Sequence, residues 1–141
     1  MHDPYDLERF VAAQDAGGAY DRAVSELQDG LKVTHWIWFV FPQIAGLGRS
    51  ATSKAFAISS LEEARAYLDH PVLGPRLIEC AGIVATGPQS GAEQILGVID
   101  AQKLRSSMTL FMRADPGQPV FQHVLDRYFG GRADPATQQR I

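Results

Sequence analysis

His35 stands beside Trp36 and close to Trp38, the densest meeting of aromatic and ionisable side chains in the chain. Indole faces stack on a nucleobase or hold a cation, and an imidazole exchanges protons near neutral pH, so the cluster has the chemistry of a ligand contact with His35 as a general acid or base. The competing reading is structural: a histidine flanked by apolar residues is commonly a satisfied core residue, and two tryptophans are more often interior than not. A glycine-rich run follows, Phe41-Pro42-Gln43-Ile44-Ala45-Gly46-Leu47-Gly48-Arg49-Ser50. Backbone amides at such a turn, leading into a helix near Thr52 to Ala57, hold a phosphate or carboxylate, and Arg49 adds a bidentate partner. The run has neither the lysine frame of a P-loop nor the preceding strand of a dinucleotide fingerprint, so a turn that permits close helix contact explains Gly46 and Gly48 equally well.

A third group lies at Asp100-Ala101-Gln102-Lys103-Leu104-Arg105-Ser106-Ser107. Lys103, Ser106 and Ser107 are three and four residues apart and share one side of a helix, with Asp100 one turn before them. Such a face binds an anion or hydroxyl, or pairs Ser with Lys for nucleophilic chemistry. Its bland alternative is a capping Asp100 ahead of a solvated edge. His70 before Pro71 is explained by capping, and His2 and His123 have no neighbouring partners. No spacing resembles a zinc or di-iron site, so neither metal nor cofactor is expected. Cys80, alone and among apolar neighbours, reads as a core thiol.

Charge is unevenly spread. Between Gly30 and Leu61 there is no Asp or Glu, only Lys32, Arg49 and Lys54, and Ala101 to Ala114 holds Lys103, Arg105 and Arg113 without an acid. If the two stretches meet in space they create a local positive field that attracts a small anion. Otherwise they serve core packing and their cations reach solvent. The net charge of -3 argues against binding nucleic acid polymers. No apolar run approaches the roughly 20 residues that span a bilayer, and no charged-then-apolar leader opens the sequence, so a cytoplasmic location is expected.

The elements that must position these residues are helices. Leu7, Phe10 and Val11, then Tyr20, Ala23, Val24 and Leu27, repeat at helical spacing, punctuated by Gly17 and Gly18 and stopped by Gly30. Ser60 with Glu63 forms a capping box before Leu61, Ala64 and Leu68, and Ser90 with Glu93 repeats it. Pro75 falls in the first turn of a helix carrying Leu77, Ile78, Ala81 and Val84, which Gly87 and Pro88 break. Asp100 is placed to cap a helix with Leu104, Met108, Phe111 and Met112 on one face, and Val120 to Phe129 gives the clearest apolar stripe. Thr34 to Phe41 has strand propensity but no partner strand, so it is read as a short buried helix ended by Pro42. Residues 1–141 are thus expected to form a single helical domain of the all-α class.

Several of these segments together resemble a family. Arg9-Phe10-Val11 with Ala13-Gln14, His35-Trp36-Ile37-Trp38-Phe39 with Phe41-Pro42-Gln43, Gly46-Leu47-Gly48-Arg49-Ser50, Glu63 to Leu68 with His70-Pro71-Val72-Leu73-Gly74, and Asp100 with Lys103 to Phe111 look like the bacterial family known as domain of unknown function 1810. The resemblance covers nearly the whole chain. It implies a small all-helical fold with a central helix surrounded by others, and no established activity. Some members carry the label calpastatin, a calpain inhibitor; such inhibitors are long, disordered and polar, whereas this sequence is apolar and periodic.

Two functions compete. In the first, the acid-free stretches converge on a pocket with His35, Trp36 and Trp38 on one wall and Gln43, Gly46, Gly48, Arg49, Ser50, Lys103, Ser106 and Ser107 around it. That pocket would take a phosphorylated or nucleotide-like anion, with His35 transferring protons if the chain is an enzyme. In the second, the tryptophans are core and a surface patch binds a protein partner without catalysis. A homodimer with the aromatic segment at its interface is a third arrangement. Exposure separates them: His35 and Trp38 opening on one cleft near Lys103 favours the first.

Overall fold

Glycines divide the first helical hairpin. In the computed structural model, which describes residues 3–87 and 91–141, helix α1 (Glu8–Asp15) runs into a 3₁₀ turn at Ala16–Gly18 and then α2 (Ala19–Asp29). Gly17 and Gly18 adopt φ of 58° and 72°, a left-handed conformation that costs glycine little. Gly30 closes α2 at φ 77°, where its N–H bonds Leu27 O and the Leu31 N–H bonds Glu26 O, the paired bonds of a Schellman motif.

The segment Thr34 to Phe41 is helical only over α3 (Ile37–Val40). Residues 31–36 form an irregular loop instead, because a side chain of α2 supplies the hydrogen bonds that a longer helix would have made. After Pro42 the chain makes an isolated parallel bridge between Ile44 and Ile58, with Ala45 N–H donating to Ile58 O and Ile58 N–H to Gln43 O, both at 2.8 Å. This bridge closes a loop containing the glycine-rich turn and α4 (Ala51–Ala55). No extended strand occurs among the described residues.

Helix α5 (Leu61–Asp69) starts as half of a capping box: Ser60 Oγ accepts from Glu63 N–H at 3.1 Å. The Glu63 carboxylate accepts not from Ser60 but from the N–H and Oγ–H of Ser59, at 2.9 and 2.8 Å, and from Arg9 at 3.1 Å. His70 ends α5, and its Nδ1 accepts from the amides of Val72 and Leu73 at the start of α6 (Leu73–Thr86). Helix α7 (Ala92–Leu96) follows; the Ser90 of its expected cap, with Pro88 and His2, lies outside the described residues.

The longest helix, α8 (Val98–Ala114), is central. It buries Leu104, Met108, Leu110 and Phe111 and touches α3, α5, α7, α9 (Val120–Tyr128) and α10 (Pro135–Gln138). Its cap is Gly97 and not Asp100, which sits inside the first turn with its carboxylate turned to other partners. A run of aromatic contacts, Phe56–Phe10–Tyr67–Phe111–Phe121, threads the core from the end of α4 to α9, with ring centroids 5.1–5.9 Å apart. This is the arrangement of helices about a central one that the family resemblance implies. No helix among the described residues is long and apolar enough to cross a membrane.

Candidate functional site

Glu26 on α2 fixes the loop that carries His35. Its carboxylate accepts from the amides of Val33 and Thr34 (2.6 and 2.8 Å), from Thr34 Oγ1 (2.6 Å) and from Trp36 Nε1 (2.9 Å). Partial burial pushes this carboxyl upward, but the hydrogen bonds from Thr34, Trp36 and Val33 outweigh it and hold the pKa at about 2. Trp36 is thereby anchored in the core, 1% exposed, with its indole N–H already satisfied. It belongs to the interior and offers no face to a ligand. His35, between these anchors, is exposed and makes no hydrogen bond within the described residues.

The two acid-free stretches do meet, and they meet across an acid. Asp100 receives Lys32 Nζ at 3.0 Å on one carboxylate oxygen and Lys103 Nζ at 3.5 Å on the other. Lys32 Nζ lies 5.4 Å from the Trp36 ring and Lys103 Nζ 5.0 Å from the Trp38 ring, so each ammonium faces an indole as well as a carboxylate. Asp100 thus cancels much of the field expected of these two lysines, which form a brace joining the loop to α8. The other cations of the second stretch go elsewhere: Arg105 donates to Arg132 O and Ala133 O at 3.0 Å, and Arg113 is exposed.

A cleft of about 170 Å³ opens beside Trp38, between the glycine-rich turn and α4. Trp38, Gln43, Gly46, Gly48, Lys54 and Phe56 line it together with Ile44, Ala45, Ser53 and Ala57. Its lining contains no carboxylate. The turn approaches α4 closely: a Cβ on Gly48 would collide with the Ser53 side chain. Ser50 caps α4, its Oγ accepting from Ser53 N–H at 3.1 Å and donating to Ser53 Oγ at 2.9 Å, which consumes the hydroxyl. Arg49 is exposed beside this cap, and neither it nor Lys54 is ion-paired within the described residues.

Of the residues singled out by type and spacing, Trp38, Gln43, Gly46 and Gly48 come together on the cleft wall, and Lys103 lies against Trp38 from α8. Ser106 and Ser107 diverge although adjacent. Ser106 Oγ donates to Asp134 at 3.1 Å on the α10 side of the helix, while Ser107 Oγ is fully buried without a hydrogen-bond partner among the described residues. Trp38 Nε1 is likewise buried and unpartnered. Such orphans are costly, and each leaves a donor that an entering acceptor or water would satisfy. Spacing gives no signal for Phe56, Ser53 or Lys54 as wall residues; the Ile44–Ile58 bridge, which pairs residues on either side of the loop, is what folds them over the turn. Among the described residues no three His, Cys, Asp or Glu side chains gather as a metal site.

The fold has a solved counterpart. The crystal structure of the conserved hypothetical protein Rv1873 from Mycobacterium tuberculosis superposes with a TM-score of 0.93 at 50% sequence identity, covering 97% of this chain and 96% of that one. A comparison with curated proteins finds no match. The sequence profile of the family described as Protein of unknown function (DUF1810) matches residues 4–141. With both the profile and the superposition spanning nearly all of its length, the chain belongs to the DUF1810 family of helical proteins of unknown function.

Proposed function

We propose that the chain binds a phosphorylated or nucleotide-like small molecule in the cleft beside Trp38. The observation that carries this reading is the lining: two aromatic side chains, Trp38 and Phe56, and a cation, Lys54, that has no ion pair among the described residues, with no carboxylate among them. An aromatic wall suits a planar base, and a wall without acids suits an anion. At about 170 Å³ the cleft is smaller than the roughly 300–1,000 Å³ of drug-sized sites, so it takes one group of the ligand while the remainder lies along the exposed turn near Arg49. The reading is one of binding. His35 is exposed, without a hydrogen-bond partner among the described residues and off the cleft wall, and receives no catalytic role in it.

Calorimetric titration with AMP, ADP and inorganic pyrophosphate tests the reading. Wild-type protein should bind all three, and Lys54→Ala should weaken each by about tenfold, the worth of one charge-assisted contact. Trp38→Ala should weaken AMP and ADP while sparing pyrophosphate. Wild-type protein that binds none of the probes would sink the proposal; equal affinities in Trp38→Ala would remove the stacking part of it.

A second reading has its own observation. Leu31, Val33, Val98 and Ile99 are 57%, 71%, 69% and 74% exposed. Lys32 N–H bonds Ile95 O at 2.7 Å and its ammonium bonds Asp100, which brings the loop residues beside the start of α8. An apolar patch around an ion pair favours a protein partner. Replacing Val98 and Ile99 by Ser would then abolish pull-down of that partner without altering the probe titrations.

A further inference from the structure

Gly46 lines the cleft with φ of 98°, and the space where its side chain would stand is filled by a guanidinium from the other end of the chain. A Cβ built on Gly46 would lie 2.9 Å from Arg140 Cζ and 3.4 Å from Nε, with Nη1 closer still. The planar head of Arg140 therefore lies on the bare backbone of the turn. Arg140 is exposed and its side chain makes no hydrogen bond or ion pair within the described residues. A guanidinium laid against a cleft lining that has no carboxylate, with no structural partner for its donors among the described residues, is arranged to receive an anion.

The fold spends buried polar groups on putting it there. Asp134 is buried, and one of its carboxylate oxygens accepts from Ser106 Oγ (3.1 Å), Thr137 N–H (3.2 Å) and Thr137 Oγ1 (2.6 Å). The other accepts from Gln102 at 3.3 Å, and Asp134 N–H donates to Thr109 Oγ1 at 2.8 Å. Arg105 holds the carbonyls of Arg132 and Ala133. These bonds seat α10 on α8, and the turn continues through Arg140 N–H, which donates to Thr137 O at 3.0 Å. Ser106, which its spacing places on a ligand face, thus acts through α10.

We propose that Arg140 is an anion-binding residue of the cleft, delivered to the Gly46 turn by the Asp134 cluster, and that it selects ligands with a terminal phosphate or pyrophosphate group. The planar fork of a guanidinium matches two oxygens of such a group, whereas Lys54 contributes a point charge. The proposal rests on the reading of the cleft given above and names the group that the open end of the cleft recognises.

The test is calorimetric titration of wild type, Arg140→Ala, Arg140→Lys and Arg132→Ala with inorganic pyrophosphate and ADP. Arg132 is an exposed cation on the same segment and controls for bulk charge. Arg140→Ala should lose about tenfold in affinity for both probes, Arg140→Lys should recover part of it, and Arg132→Ala should match wild type. The thermal midpoint of unliganded Arg140→Ala should equal that of wild type, since the side chain holds no bond to lose. Wild-type binding that Arg140→Ala leaves unchanged, or that Arg132→Ala weakens equally, overturns this proposal while leaving the cleft reading intact. Absence of binding by wild type overturns both.

Discussion

Glu26 shows how one carboxylate organises a loop. Four donors converge on it, and they pull its pKa from the ordinary range to about 2 against the upward push of burial. A folded pKa below the unfolded one means that the unfolded chain takes up a proton first as pH falls. The contribution is complete at neutral pH, erodes below about 4.5 and is gone below about 2. Glu26→Gln should therefore cost roughly 1–3 kcal/mol at pH 7, because a neutral amide replaces charge-assisted bonds and turns a donor toward donors. Its urea midpoint should fall less steeply than that of wild type between pH 5 and 2. Parallel pH profiles would show that the carboxylate does not hold the loop. Nothing in the sequence marks this residue: Glu26 sits on the polar side of an amphipathic helix, where acids are ordinarily solvated. The loop it clasps has strand propensity and reads as helix only for want of a partner strand, since propensity registers apolar content at Trp36 and Ile37 but not a side chain that replaces backbone partners.

Within α6 two glycines have opposite requirements. Gly74 meets α5 so closely that a Cβ there would fall 2.9 Å from the carbonyl carbon of Leu68 and nearer still to its oxygen. Gly82, two turns further on, would place a methyl group with nothing within 4 Å beyond its own helix. Gly74→Ala should destabilise by about 3 kcal/mol, since backbone cannot step aside as a side chain does. Gly82→Ala should stabilise by about 0.5–1 kcal/mol through helix propensity. Denaturant melts of the two variants should move in opposite directions. At the start of α5, Ser60→Ala should cost about 1 kcal/mol for the lost cap. Helix starts and stops of this kind are legible wherever the deciding group is local, as at Gly30 and Ser60. Pattern misleads at α8, where Asp100 suits a cap in type but is drawn off by Lys32, a partner from far along the chain.

Across the whole molecule, periodicity conveys the helices and the family resemblance conveys their arrangement, while the cleft is only half legible. Trp38, Gln43, Gly46 and Gly48 lie in one short segment and can be grouped by proximity in sequence. Lys54 and Phe56 require the Ile44–Ile58 bridge, and Arg140 requires the packing of α10 on α8. That packing can be loosened by itself. Asp134→Ala leaves the Thr137 hydroxyl and the Gln102 amide without the carboxylate they donate to, while Ser106 Oγ keeps the Gln102 carbonyl, and should destabilise the protein by about 2–3 kcal/mol, measured by urea melting. It should also admit limited proteolysis around residues 130–141 under conditions in which wild type resists. A variant as stable and as resistant as wild type would show that α10 is not anchored there.

The turn at Gly46 and the guanidinium that covers it are made at very different moments. A ribosome adding about 5–20 residues per second produces Gly46 roughly 5–20 s before Arg140. During that interval the glycine turn and Trp38 are already outside or emerging, yet their cover has not been translated. Formation of the turn and its covering by Arg140 are therefore separate events in the life of each molecule, because the covering side chain is made long after the glycine it covers.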